Sequence, residues 1–112
     1  MRKSLSQQER LKKRREFQRL QKEGRKLVGK WICLEFAPSS LSRLGITASS
    51  RYGNSPERNS FKRRAREMFR LNRSFLKGNL DINVIPRLSA KTASFHEIQE
   101  EFRHLLSCAK IH

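Results

Sequence analysis

Acidic residues are scarce in this 112-residue chain: ten Asp and Glu stand against 26 Lys and Arg, and Asp81 is the only aspartate. A two-metal hydrolytic centre, which needs clustered carboxylates, has little to be built from. Cysteine is nearly absent too. Cys33 and Cys108 are too few for a disulfide framework and lack metal-ligand spacing. The three histidines, His96, His104 and His112, suggest no catalytic set, since two fall on a neutral segment and one is the last residue. No apolar run approaches the roughly 18 residues of a membrane span. The first residues hold no apolar stretch of a secretory signal. The expectation is a reduced, metal-free, cytoplasmic protein that does not meet a membrane.

What the chain does have is positive charge, +16 in all, with 36% apolar residues that include seven Phe, one Trp and one Tyr. The length suits one domain with a modest core. The charge is uneven: residues 1–30 carry a net +9, residues 31–80 a net +7, and residues 81–112 are neutral. A surplus of this size repels itself in a compact fold and points to a polyanionic partner. The first two thirds of the chain are therefore expected to face that partner, and the last third to act as scaffold.

Hydrophobic patterning gives alternating helix and strand signals. Residues 1–10 are polar and aperiodic and read as a mobile basic arm, followed by a single domain over 11–112. Helix formers run from Lys13 to Glu23, with Phe17 and Leu20 on one face and Gly24 as the stop. Residues 27–37 are rich in β-branched and aromatic side chains and read as one strand ended by Pro38. The short connection 38–43 predicts an antiparallel hairpin to a second strand, Leu44 to Ser50. Ser55-Pro56-Glu57 announces a helix to about Arg73, with Ser55 as its cap. Leu80 to Pro86 alternates as a third strand. Ser94 and Glu97 form a capping box for a last helix that buries Phe95, Ile98, Phe102, Leu105 and Ala109. The fold class is α+β: a single-domain α-β sandwich with a small central sheet and packed helices. No internal repeat or low-complexity tract interrupts it.

The helix after Pro56 carries the chemistry. At about 100° per residue, Phe61, Ala65, Met68 and Phe69 form an apolar stripe. Asn59, Lys62, Arg63, Arg66, Arg70 and Arg73 share another face. Like charges at three and four spacings destabilise a helix, so such segregation points to a polyanion. Arg outnumbers Lys six to one here, and its planar fork matches phosphate. No helix-turn-helix, zinc finger or basic zipper is apparent, so a structured RNA is expected over DNA. A structural RNA-binding protein such as a small ribosomal protein, a nucleoid protein and an autonomous nuclease are the rival readings.

Residues 43–70 resemble the signature of the bacterial ribonuclease P protein family. The matching positions are Gly45, Ser49, Arg51, Gly53, Asn54, Arg58, Asn59, Lys62, Arg63, Arg66, Glu67 and Phe69. Phe17 and Gly24 upstream, and the Phe102, Leu105, Leu106 helix downstream, extend the likeness over about residues 9–108. The chain departs from the pattern at Gln21, Glu35, Ser50 and Ser60.

The resemblance implies a left-handed strand–helix–strand crossover, in place of the usual right-handed one. It implies a holoenzyme that removes the 5′ leader of precursor tRNA by hydrolysis, with a large RNA subunit and its Mg2+ doing the chemistry. Partners would be that RNA, at one protein per RNA, and precursor tRNA. Arg51, Asn54, Arg58, Asn59, Lys62, Arg63, Arg66 and Arg70 would contact RNA. Phe17, Ile32 and Leu34 would line a leader cleft, and no residue of the chain would be catalytic.

Overall fold

The structure is a computed structural model that describes residues 7–76 and 78–108. Three helices, α1 (Arg14–Glu23), α2 (Ser55–Leu71) and α3 (Phe95–Cys108), accompany four strands, β1 (Arg25–Val28), β2 (Ile32–Pro38), β3 (Arg43–Ile46) and β4 (Leu80–Pro86). Short 3-10 turns occupy Gln7–Glu9, Arg73–Phe75 and Leu88–Thr92. The sheet order is β1-β2-β4-β3, antiparallel except for the parallel pair β3 and β4. β3, α2 and β4 thus form the expected strand–helix–strand unit.

Alternation along β2 and β4 gives the sheet two different faces. Ile32, Leu34, Phe36, Leu80, Ile82 and Val84 join Leu44 in the main core. That core is closed by Phe61, Ala65, Met68 and Phe69 of α2 and by Ile98, Phe102, Leu105 and Leu106 of α3. α1 lies on the opposite face, where Leu11, Leu20 and Ala37 make a smaller cluster with Phe17 beside it. The helical periodicities of α2 and α3 are therefore packed as expected, with Phe95 half-buried; Ala109 falls outside the described residues.

Three expectations need correction. The stretch 27–37 is two strands, because the chain reverses at Gly29, Lys30 and Trp31. The reversal is held by Glu101 of α3, whose carboxylate accepts the N–H groups of Lys30 (2.7 Å), Trp31 (2.7 Å) and Ile32 (2.8 Å). The expected hairpin between β2 and the next strand does not form, since β4 lies between them. The loop between β2 and β3 instead arches over the start of β4. There Ser39 N–H donates to the Asn79 carbonyl (3.0 Å), Asn79 Nδ2 donates to the Ser40 carbonyl (3.0 Å), and Leu80 N–H donates to Ser42 Oγ (3.3 Å). The second strand is also shorter than expected, ending at Ile46.

Residues 1–6 of the expected arm fall outside the described residues, whereas its remaining part is seated on the domain. Arg10 bridges to Leu44, Leu11 N–H donates to the Leu44 carbonyl (2.9 Å), and Glu9 pairs with Arg73 (2.6 Å). Gly24 ends α1 at φ −79°, outside the left-handed region. Its role is close approach: a Cβ there would lie 2.5 Å from the Leu20 carbonyl oxygen and 2.8 Å from that of Phe36. Gly78 does take the left-handed conformation, φ 88°, in the turn before β4.

One ionic knot fixes α1 to the sheet. Asp81, 1% exposed, accepts both Arg43 Nε and Arg43 Nη2 at 2.8 Å, and Arg19 Nη1 at 3.1 Å. Arg43 Nη1 reaches Glu16 on α1 at 2.5 Å. Arg19 Nη2 donates to the Pro38 carbonyl at 2.9 Å. The Asp81 carboxylate, then Glu16, hold the Arg43 guanidinium well above its ordinary range, against the opposing effect of burial.

Asp81→Asn is expected to cost about 2–4 kcal/mol in urea unfolding. That is near the lower end of a broken buried pair because both arginines keep some solvent contact. A loss below about 0.5 kcal/mol would show that the knot contributes little.

Acid stability follows from three glutamates, Glu16, Glu57 and Glu97, whose carboxyls lie below their ordinary 4.5. Burial acts against this at Glu16, but the N–H groups of Lys13 and Lys12, and then Arg43, outweigh it. Backbone N–H donors at Asn54 and Ser94 lower Glu57 and Glu97. Carboxyls lowered in the fold stabilise it above their unfolded pKa, and that stability is lost as pH falls through the folded values. Melting temperature is expected to hold down to about pH 5 and to decline below 4.5, with a shallower decline in a Glu57→Gln, Glu97→Gln variant.

Candidate nucleic-acid interface

α2 begins at a reciprocal cap. Asn54 Oδ1 accepts the Glu57 N–H at 2.9 Å, and the Glu57 carboxylate accepts the Asn54 N–H at 3.0 Å. Asn54, and not Ser55, is therefore the cap. Ser55 Oγ accepts from Arg58 Nη2 at 3.2 Å. The Asn54 amide nitrogen takes no part in the cap and faces an outside partner with two donors. Ahead of the cap, Arg51 is exposed in a turn anchored by buried Tyr52, whose ring lies 5.6 Å from that of Phe61.

The fold sorts the cations of α2 into two groups. Arg70 is held by Glu67 at 2.6 and 3.3 Å, and Arg73 by Glu9. The C-terminal half of the expected basic face is thus neutralised within the protein, and Arg70 does not belong with the free cations. In the N-terminal half, Asn59, Lys62, Arg63 and Arg66 line an open groove of about 490 Å3 that starts at Pro56. No carboxylate pairs with Lys62, Arg63 or Arg66 among the described residues. Burial, and then the charge of Arg10, hold the Arg66 guanidinium below its ordinary range. Arg58 Nε is out of solvent without an acceptor among the described residues.

A second surface adjoins the first, where α1 crosses the sheet. Phe17 lies so close to β3 that a Cβ on Gly45 would come within 2.5 Å of its Cε1. Phe17, Gly45 and Ile46 share a small cleft with Arg10, Lys62 and Arg66. Ile32 and Leu34 do not reach it. Both are fully buried in the main core on the other face, because strand alternation turns Cys33, Glu35 and Ala37 toward α1's side. Glu35, 6% exposed, accepts Asn83 Nδ2 at 3.1 Å, and Asn83 Oδ1 accepts Thr47 Oγ1 at 3.1 Å. Sequence reasoning misses Arg10 and Gly45 as members of this surface. Arg10 falls within the expected arm, and the small residue opposite Phe17 is the available signal.

The described residues gather no three His, Cys, Asp or Glu side chains that could hold a metal ion. Asp81 already accepts from Arg43 and Arg19. No described helix is long and apolar enough to cross a membrane.

Fold and surface together define a class: a small α+β nucleic-acid-binding protein with unpaired cations grouped beside a shallow cleft. The sequence profile of the Ribonuclease P family matches residues 5–110. The chain is 38% identical over 104 residues to the ribonuclease P protein component of Desulforapulum autotrophicum, covering 91% of this chain and 89% of that one. It is 35% identical over 112 residues to that of Thermotoga maritima, covering 95% and 96%. Its fold superimposes on the RNase P protein from Thermotoga maritima with a TM-score of 0.84 at 33% identity, covering 92% of this chain and 99% of the other. The Staphylococcus aureus RNase P protein gives 0.82 at 34%, covering 92% and 96%. The chain belongs to the ribonuclease P protein family. It is thereby a protein component of an endoribonuclease holoenzyme whose partner is ribonuclease P RNA, and the ribosomal-protein reading is not favoured.

Leu34→Ala is expected to cost about 2–5 kcal/mol of stability as a core truncation. A urea titration showing less than about 1 kcal/mol would return Leu34 to the cleft face.

Proposed function

We propose that the protein assists removal of the 5′ leader from precursor tRNA in the cytoplasm by holding two RNAs on adjoining surfaces. The groove of Asn59, Lys62, Arg63 and Arg66 takes the phosphate backbone of the catalytic RNA, with Arg51, Arg58 and the Asn54 amide at its margin. The cleft of Phe17, Gly45 and Ile46 takes the single-stranded leader. One protein serves one RNA subunit. Mg2+ and the hydrolytic step belong to the RNA, and the chain contributes binding and orientation.

The observation that carries this reading is the sorting of charge. Arg70 and Arg73, at the C-terminal end of α2 and just beyond it, have carboxylate partners, whereas Lys62, Arg63 and Arg66 stand together in the α2 groove with none among the described residues. Phosphate neutralises such a set and releases counterions, so assembly weakens with salt. In the cleft, the half-buried Phe17 ring offers a base a stacking surface without reading its sequence. Phe17 also rests on Gly45, which keeps the ring in place for that purpose.

Reconstitution with a bacterial ribonuclease P RNA and a precursor tRNA tests this. Arg63→Ala and Arg66→Ala are each expected to weaken assembly and lower the salt slope by about one. Arg70→Ala is expected to leave the slope unchanged; equal slopes for all three would contradict the sorting. Phe17→Ala is expected to cost about 1–3 kcal/mol in affinity for leader-bearing precursor, with little effect on mature tRNA. An equal loss for both, with a lower melting temperature, would make Phe17 a packing residue only.

A further inference from the structure

The segment ahead of α1 lies along the flank of α2. Arg10 shares a cleft with Arg66. One residue earlier, the Glu9 carboxylate pairs with Arg73 Nη2 at 2.6 Å. Arg73 opens the 3-10 turn just past α2, seven residues or about two helical turns beyond Arg66. We propose that Glu9 holds Arg73 in reserve: its carboxylate stands where an RNA phosphate would stand, and the catalytic RNA displaces it on assembly. The phosphate track of α2 then extends to Arg73. This rests on the reading of α2 as the face for the catalytic RNA and adds an internal competitor to it.

Four observations carry the proposal. First, the pair opens easily. The Arg73 and Glu9 side chains are 45% and 20% exposed, and ion pairs in contact with water hold weakly. Second, the segment has other fastenings. The Arg10–Leu44 bridge and the Leu11 N–H on the Leu44 carbonyl keep it on β3 when Glu9 lets go. Third, Arg73 stays in position without Glu9, because its guanidinium lies 5.9 Å from the centre of the buried Phe69 ring. Fourth, a strand of RNA has access: an open groove of about 560 Å3 surrounds the pair, with Ser42, Phe69 and Asn79 among its lining residues. Arg70 differs in kind. Glu67 holds it from the same helix through two N–H donors, at 2.6 and 3.3 Å, whereas Glu9 reaches Arg73 from a separate three-residue turn. A phosphodiester and a carboxylate each offer a guanidinium two acceptor oxygens and one negative charge, so one can replace the other. An RNA already seated on Lys62, Arg63 and Arg66 presents its next phosphate at high effective concentration.

A double-mutant cycle tests this. Full-length parent, Glu9→Gln, Arg73→Ala and the double variant are each assembled with a bacterial ribonuclease P RNA, and affinity is measured against salt. Glu9→Gln is expected to tighten assembly by about two- to fivefold, the worth of an exposed pair. Arg73→Ala is expected to weaken assembly and lower the salt slope by about one. In the Arg73→Ala background Glu9→Gln brings no gain, because the two residues act through each other. A gain that persists without Arg73 would make Glu9 only a general repulsive charge and overturn the reserve. No gain from Glu9→Gln, or an unchanged slope for Arg73→Ala, would overturn it too. The melting temperature of free Glu9→Gln should fall by no more than about 5 °C; a larger fall would make the pair a structural anchor and contradict the proposal. The parallel Arg63→Ala variant keeps the two claims apart: its weakened assembly beside an inert Arg73→Ala leaves α2 as the RNA face, and its having no effect brings that reading down as well.

Discussion

The single aspartate of the chain is the interaction on which the rest depends. Asp81 sits at the start of β4, buried, and receives Arg43 from β3 through both carboxylate oxygens and Arg19 from α1 through one. β4 is the central strand that pairs with both β2 and β3. One carboxylate therefore joins two strands and the helix above them. A buried ion pair is weak evidence for stability by itself. Here its consequence is positional: it sets α1 across the sheet, puts Phe17 over Gly45, and so creates a cleft next to α2.

The same scarcity of acid explains the functional surface. Few carboxylates are available, and the fold places them where cations are structural. Glu16 serves Arg43, Glu67 serves Arg70, Glu9 serves Arg73, and Glu57 serves both the α2 cap and Lys91. Glu101 takes no cation in this arrangement and instead fastens the β1–β2 turn by three backbone donors. Lys62, Arg63 and Arg66 have no carboxylate partner among the described residues and stand side by side on the first half of α2. At this groove the general surplus of the composition becomes a set of neighbouring cations with no acid among its lining residues.

Much of this is legible in the sequence, for local reasons. α2 and α3 follow from apolar spacing and capping residues, and β4 from its alternation. The apolar stripe of α2 immediately identifies the opposite, basic face. The errors have tertiary causes. The β1–β2 turn depends on Glu101, 70 residues from Trp31. The place of β4 between β2 and β3 depends on the loop packing over Asn79. β2 is buried on both faces, so its alternation does not reveal which face meets the cleft, and the expectation for Ile32 and Leu34 fell on the wrong one. Arg73 is paired by Glu9, a residue of the expected arm. Arg70 is different: Glu67, three residues before it on the same helix, is a visible partner.

The central claim is that RNA lies on the Asn59 to Arg66 face and that α3 is scaffold on the far side of the chemistry. Exposed Cys108 at the end of α3 and a Cys introduced at Asn59, in a Cys108→Ser background, provide two attachment points for an iron-EDTA probe, while Cys33 is buried. Hydroxyl-radical cleavage of the catalytic RNA in the reconstituted holoenzyme should be strong and localised from position 59 and near background from position 108. Equal cleavage from both positions, or cleavage from 108 alone, would contradict the account.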